Sequence, residues 1–205
     1  MKFAAKQTTD FEIVPPGNHV AICNAVIDLG MQPGSVQYPN PKRKVYLRFE
    51  LPDERTTYTK DGKEVEGPMS IGTTFTASMN EKANLRHFIE SWFGKKFPND
   101  GAAEAFDFAA ILGRACLLNV THTEKGGKTY ANIGNATPML KGMSPSKPQH
   151  NASLYFSLDD PDEKEFNALP KWLQEKIQAR LPEPEVAATS PQKADDAPFD
   201  DDIPF

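Results

Sequence analysis

The stretch Lys44-Val45-Tyr46-Leu47-Arg48-Phe49-Glu50-Leu51 alternates apolar and polar side chains along its whole length. Because successive side chains of a β-strand point to opposite faces, this pattern predicts a strand with one buried and one outward face. The buried face is predicted to carry Val45, Leu47, Phe49 and Leu51, and the outward face Tyr46, Arg48 and Glu50. A half-buried strand of this kind favours a mainly β fold around one apolar core.

Four further strands are predicted on either side of this one. They cover His19–Leu29, Met69–Met79, Ala115–Thr123 and Lys128–Ile133. In the first strand, the side chains expected on one common face are Ala21, Cys23, Ala25, Ile27 and Leu29. The last two strands are predicted to pair as a hairpin through Glu124-Lys125-Gly126-Gly127, since paired glycines favour a tight turn. Residues 31–41 are predicted to be a loop rich in glycine and proline, and residues 52–68 are charged and carry a turn signal at Asp61-Gly62.

A helix is predicted between the third and fourth strands. Its apolar residues recur at helical intervals up to Gly94, and Ser78 and Glu81 have the spacing of a capping box. A second, short helix is predicted over Phe106–Leu112. Three strands, a helix and two strands is the order of elements in the five-stranded OB-fold barrel, which we expect here. A ubiquitin-like or other α+β roll shares part of that order.

The remainder of the chain divides into three predicted parts. Residues 1–140 form the OB-fold domain, residues 141–182 a linker with a short helix, and residues 183–205 a disordered acidic tail. Apolar residues of the short helix share one face, namely Phe166, Leu169, Leu173 and Ile177. Either that face docks the helix onto the barrel, or the helix is a separate contact surface centred on Trp172.

Charge is distributed unevenly along the chain. The net charge is −5, but residues 1–150 contain 18 Lys and Arg against 15 Asp and Glu. Residues 183–205 contain one lysine against seven carboxylates. The mildly basic and the strongly acidic parts are therefore separate pieces of chain, which is typical of a protein with an acidic interaction tail.

Other features of the sequence indicate a protein of a reducing cytoplasm. Cys23 and Cys116 each lie in an apolar stretch, where a buried reduced thiol is expected rather than a disulfide or a reactive group. The first residues lack the apolar core of a signal peptide. The best apolar run, Ala109–Val120, is interrupted by Arg114 and is too short to span a bilayer, so no membrane association is expected.

The most informative segment is Asp200-Asp201-Asp202-Ile203-Pro204-Phe205, with an upstream echo in residues 195–199. It resembles the C-terminal tip of bacterial single-stranded DNA-binding proteins, in which acidic residues run into Asp-Ile-Pro-Phe. The body of the chain, with YLRFELP, LLNVTHTEKGGKTYANI and LPKWLQEKI, is more similar to the single-stranded DNA-binding proteins of bacteriophages. These resemblances imply an OB fold, single-stranded DNA as ligand, and a role in phage DNA replication, recombination or repair in the cytoplasm of a bacterial host. They assign no DNA-contacting residue.

The tip also has the chemistry of a docking peptide. We expect the Phe205 ring to fill an apolar pocket on a replication or repair protein while its α-carboxylate meets a basic side chain. Pro204 limits the entropy lost on docking, and the aspartates steer the peptide to a basic rim. Because the tail is tethered to a more basic domain, a further hypothesis is that it competes with DNA for the groove.

Binding single strands without sequence preference requires cations for phosphates and rings for bases. The predicted DNA-binding residues form two clusters at the loops that flank the binding face of an OB fold. The first lies around the 31–43 loop and the second around the 124–129 turn. They are Tyr38, Lys42, Arg43, Lys44, Tyr46 and Arg48, and Lys125, Lys128 and Tyr130. Alternation predicts that Lys44, Tyr46 and Arg48 share one face of the strand. We expect this face to bind DNA; the alternative is that it is only the solvated outer face of the strand.

Other functions remain open at this stage. The four histidines are scattered and no catalytic motif is present, so we expect neither an enzyme nor a cofactor or metal site. A metal-dependent nuclease using Asp159–Glu163 is a minor alternative. A stronger one is an adaptor that mimics the host tail without binding DNA. Nothing in the sequence marks a subunit interface, so a homo-oligomer remains open.

Overall fold

The computed structural model describes residues 12–60 and 62–183 of the chain. The elements are β1 (Gly17–Gln32), β2 (Lys42–Lys60), β3 (Lys63–Thr76), α1 (Asn84–Phe93), α2 (Asp100–Glu104), a 3₁₀ turn (Phe108–Ile111), β4 (Ala115–Lys125), β5 (Lys128–Thr137), β6 (Leu154–Phe156), α3 (Glu163–Ala168) and α4 (Lys171–Gln178). The predicted mainly β class is confirmed, and each of the five predicted strands is present.

Antiparallel pairing arranges the five long strands in the order β3-β2-β1-β4-β5. The sheet curls so that its two outer strands, β3 and β5, approach each other and both contact α1, which gives a half-barrel. The sixth strand, β6, was predicted as linker. It pairs in parallel with β1 over Ala25–Ile27, beyond the point where β4 leaves β1 at Ile22.

Residues 52–68, for which the sequence predicted only a turn at Asp61-Gly62, belong mainly to strands. There, β2 and β3 continue as a two-stranded hairpin arm in which Arg55–Lys60 pairs with Lys63–Pro68. The arm carries β-formers such as Thr56, Thr57 and Tyr58 among its charges. Its outer part is exposed and needs no apolar alternation, so the sequence shows no strand pattern there.

The predicted common face of β1 is also wrong. A register shift between Cys23 and Ala25 inserts an extra residue, which reverses the alternation at that point. Ala21, Cys23 and Val26 consequently pack in the main core, while Ala25, Ile27 and Leu29 pack in a second core on the other side of the sheet. The alternation of β2 is confirmed, because Val45, Leu47, Phe49 and Leu51 all lie in the main core.

Helix α1 covers the main core with Leu85, Phe88, Ile89 and Trp92, and ends as predicted at Gly94, which is left-handed (φ 63°). The predicted capping box is wrong, because α1 begins at Asn84 after Ala83, which makes no side-chain cap. The Ser78 hydroxyl instead accepts a bond from the Asn80 N–H at 3.3 Å. The predicted second helix over Phe106–Leu112 is only the shorter 3₁₀ turn, and α2, which precedes that range, was not predicted.

The C-terminal segment packs on the outward face of the sheet. Leu169, Leu173 and Ile177 are buried in the second core, so the short helix is docked on the sheet. The backbone of Leu181 then bonds Met31 at 2.8 Å. No helix within residues 12–60 and 62–183 has the length and apolar character that crossing a bilayer requires. Of the predicted acidic tail, only Glu183 lies within the described residues.

Candidate nucleic-acid interface

The half-barrel has an open seam where its two outer strands face each other over α1. A groove of about 510 Å³ lies along this seam, and we call it the seam groove. Its walls come from the start of β2 (Lys42, Lys44, Tyr46), from β3 (Gly72–Thr76), from α1 with the turn before it (Ser78, Ala83–Leu85, His87, Phe88, Ser91) and from β5 (Ala131–Asn135). Since β3 and β5 are the edges of the sheet, the groove also runs beside two backbone edges.

The chemistry of the lining differs from that of the whole chain. Lys42 and Lys44 are cationic, His87 is exposed, and no carboxylate belongs to the lining, although the chain has 28 Asp and Glu. Neutral hydroxyls and amides supply the other polar groups. They belong to Thr73, Thr74, Thr76, Ser78, Asn84, Ser91, Asn132 and Asn135. Such a surface can accept phosphates without repelling them.

Aromatic rings lie in the same groove. Tyr46 and Phe75 are half-buried lining residues, and Phe75 packs against Phe88 with ring centroids 5.0 Å apart. Burial raises the pKa of the Tyr46 hydroxyl, which stays protonated at neutral pH. Gly72 permits this placement, because a β-carbon there would overlap the Tyr46 ring and hydroxyl. The groove thus combines cations with ring surface.

Two of the predicted cations face the groove. Lys42 lies at the first position of β2, and Lys44 follows it on the same strand face. The Lys44 ammonium donates to the Thr76 hydroxyl across the strand pair at 3.2 Å, which positions it over β3. Together with Tyr46 they are the members of the first predicted cluster that the structure brings together.

Arg43 has a different environment. Its guanidinium binds Asp28 through Nε and Nη2, Asp159 at 2.7 Å, and Glu183 at 3.7 Å. The hydrogen bond to Asp28 raises the pKa of Arg43 further above its ordinary value. The residue ties β2 to the C-terminal segment and does not line the seam groove.

Arg48 also makes an internal contact. Its Nε donates to Asn24 Oδ1 at 2.9 Å, beside the Asn24 amide group that donates to Glu50 at 3.3 Å. Glu50 is fully buried and further accepts bonds from the backbone N–H groups of His150 and Asn151 at 2.6 and 2.9 Å. Of the predicted Lys44-Tyr46-Arg48 row, Lys44 and Tyr46 line the seam groove and Arg48 does not.

The second predicted cluster lies on the β4–β5 hairpin. Lys125 pairs with Lys128 across a two-residue turn, in which Gly126 and Gly127 both have positive φ (59° and 73°). All three predicted residues of this cluster are exposed, Tyr130 by 45%. None of the three lines the seam groove, although Tyr130 directly precedes Ala131, the first groove-lining residue of β5.

Tyr38 lies apart from both clusters. It sits half-buried in the β1–β2 loop, where its N–H donates to the Ser35 hydroxyl at 3.1 Å and its own hydroxyl accepts from the Gln37 side chain at 3.3 Å. It does not line the seam groove.

Sequence reasoning missed the groove residues of β3, and those of α1 and β5. Ser91 joins α1 and β5, since its hydroxyl donates to the Ala136 carbonyl and accepts from the Asn135 amide, both at 2.9 Å. The exposed polar face of α1, with His87 and Ser91, was a usable indication. The β5 contribution was not, because it depends on the curl of the sheet.

The acidic segment 159–163 has structural partners. Asp159 binds Arg43, and the Asp162 carboxylate caps α3 by accepting from the Glu165 N–H at 2.9 Å. In the part of the chain that the structure describes, no three His, Cys, Asp or Glu residues are grouped as a metal site. The predicted partner-binding tip, Asp200–Phe205, lies outside the described residues.

A scan against protein-family models finds no match for this chain, and a search of curated proteins finds no similar sequence. What the chain does is therefore inferred from its own residues.

Proposed function

We propose that this protein binds single-stranded DNA in the seam groove, largely independent of sequence. In this proposal it protects the strand during phage DNA replication or recombination and recruits replication or repair proteins through Asp200–Phe205. The lining of the seam groove carries the proposal, because it joins two lysines, rings and neutral donors and contains no carboxylate. A site of this composition suits a polyanion with stackable bases.

The architecture supports the same ligand. A curled five-stranded antiparallel sheet with a helix between its third and fourth strands is consistent with an OB-like fold, which commonly binds oligonucleotides. Few cations line the groove, so neutral donors and stacking contribute much of the affinity.

The tip supports the recruiting part of the proposal. Its Ile203 and Phe205 can contribute roughly 1.5–3 kcal/mol each when buried on a partner, much of which association entropy offsets. We therefore expect affinity on the order of micromolar for a single tip. Deleting Phe205 should abolish capture of replication and repair proteins, and unchanged capture would refute this role.

A titration of labelled oligothymidine, followed by fluorescence anisotropy, tests DNA binding. The pair Lys42→Ala and Lys44→Ala should weaken binding and reduce the slope of log affinity against log salt by about 0.7 per lysine. Lys95→Ala with Lys96→Ala is the matched control, because these exposed lysines follow α1 outside the groove.

Unlabelled duplex DNA as competitor separates the ligand classes. The proposal predicts that duplex displaces oligothymidine poorly. Absence of any oligothymidine binding at low salt would contradict DNA binding and favour the adaptor that only presents a tip. If the Lys42/Lys44 and Lys95/Lys96 double variants lose affinity for oligothymidine equally, binding lies outside the seam groove.

A further inference from the structure

We infer that Trp172 is a base-stacking residue that extends the seam groove onto α4 and holds a nucleobase of the bound strand. The inference rests on the proposed DNA-binding function. It assigns part of the DNA site to the C-terminal segment, outside the five-stranded sheet.

Helix α4 does not use Trp172 as its anchor. Leu173 and Ile177 hold the helix on the sheet and are at most 1% exposed, whereas Trp172 is 49% exposed. Leaving half of an indole in water forgoes apolar burial that the same helix achieves elsewhere. Exposed indoles combine large apolar faces with one polar group and are typical of binding surfaces.

Trp172 contacts a ring that lines the seam groove. Its ring and that of Tyr46 are perpendicular, with centroids 5.3 Å apart, and Tyr46 is a lining residue of the seam groove. The edge contact fixes the position of the indole against the sheet while leaving ring surface in solvent. A base leaving the groove past Tyr46 therefore meets an oriented aromatic face, which any base can stack on.

Cations accompany this pair of rings. Lys44 lies two residues from Tyr46 on the same strand face, and it pairs with Gly30 of β1. Arg180, just beyond α4, packs so closely over Gly30 that a β-carbon there would overlap it. On α4 itself, the exposed residues one turn beyond Trp172 are Glu175 and Lys176, whose charges offset, so the positive charge comes from Lys44 and Arg180. Positive charge around an exposed ring favours a nucleic acid over an apolar protein surface as its occupant.

Tryptophan emission distinguishes this assignment directly. The described tryptophans are Trp172 and Trp92, which is 3% exposed in the main core, so a bound base can reach only Trp172. Oligothymidine should quench the emission of the wild-type chain. Oligothymidine should still bind the Trp172→Phe variant, as measured by anisotropy, but should leave the tryptophan emission of that variant unchanged.

Affinity provides the second measurement. Trp172→Ala should bind oligothymidine about fivefold to a hundredfold more weakly, and Trp172→Phe should retain most of the affinity. Tyr58→Ala is the matched control, since Tyr58 is an exposed ring of the hairpin arm away from the groove, and it should bind as wild type does. The quenching comparison stands even where Trp172→Ala fails to fold.

These experiments distinguish the role of Trp172 from the proposed DNA-binding function. Binding of oligothymidine without quenching would overturn the inference, leave the proposed function intact and assign Trp172 to a protein contact. Quenching with unaltered affinity of Trp172→Ala would also overturn it, because the indole would then lie near DNA without holding it. Failure of the wild-type chain to bind at all would instead overturn the proposed function.

Discussion

The outward residues of β2 have more contacts than their sequence pattern predicts. Tyr46 contacts Trp172, Arg48 binds Asn24, and Glu50 is buried beneath residues 150 and 151. Alternation assigns a side chain to a face of the strand but does not say which later segment covers that face. The covering segment has no periodic pattern, so its path could not be predicted.

Replacing Glu50 tests this local account. The carboxylate accepts from the Asn24 amide, from two backbone N–H groups and from the Asn151 amide at 2.7 Å. Glu50→Gln places an N–H₂ group against these donors, so the free energy of unfolding should fall by about 1–3 kcal/mol. Urea denaturation measures the loss. Glu64→Gln, on an exposed residue of β3, should unfold as wild type does, and an equal effect of the two would contradict the account.

Because both thiols are buried, we predict that the free energy of unfolding falls at alkaline pH. Burial raises the pKa of Cys23 from its ordinary value of 9.0 to about 12, and burial also raises the pKa of Cys116. Above about pH 9 the unfolded chain releases protons that the folded chain keeps, so this contribution to stability is present below pH 9 and is lost as pH rises.

Urea midpoints across about pH 8–11 measure that loss. The alkaline decline should be smaller in Cys23→Ala with Cys116→Ala than in wild type. The native chain should also resist thiol reagents at neutral pH and react with them once unfolded. Rapid labelling of the native thiols would show that they are not buried.

At the scale of elements, the sequence predicted the identity of β1 and not its geometry. Both sides of the run from Ala21 to Leu29 are apolar, so period-two alternation cannot locate an extra residue within it. The register shift beside Asn24 lets one strand serve two cores, one under α1 and one under α4. The hairpin arm was missed for the opposite reason, since its residues have almost no apolar side.

The second core makes α4 part of the folded unit. Leu173 is fully buried between α4 and the sheet, so Leu173→Ala should lower the free energy of unfolding by about 2–5 kcal/mol in a single transition. Gln178→Ala, at the exposed end of α4, is the control. A separate early transition of α4, or no loss, would mean that the helix is an appendage.

At the scale of the whole molecule, the seam groove results from curvature. The sequence could predict part of the site, since Lys42, Lys44 and Tyr46 are close together along the chain. The meeting of β3 and β5 could not be predicted, because it depends on the curl of the sheet. Residues such as His87 and Asn132 enter the groove from elements far apart in the chain. The class of fold and the β2 wall of the groove could therefore be predicted from the sequence, but the wall formed by α1 and β5 could not.

The separation of charge gives a prediction about the full chain. Removing residues 195–205 deletes five carboxylates and should tighten binding of oligothymidine at low salt, with the difference vanishing as salt screens it. The control is Ile203→Ala with Phe205→Ala, which keeps every carboxylate and should bind DNA as wild type does. Equal affinity of the truncated and intact chains at low ionic strength would rule out competition by the tail.

Photocrosslinking tests the central claim most directly. An oligonucleotide carrying 5-bromodeoxyuridine is irradiated with the full chain, and the attached peptides are identified by mass spectrometry. The account predicts attachment within the groove-lining segments, residues 42–46, 72–76, 78–91 and 131–135, and loss of attachment when unlabelled oligothymidine competes. Attachment confined to other parts of the chain, or none, would contradict the claim that unpaired DNA lies in the seam groove.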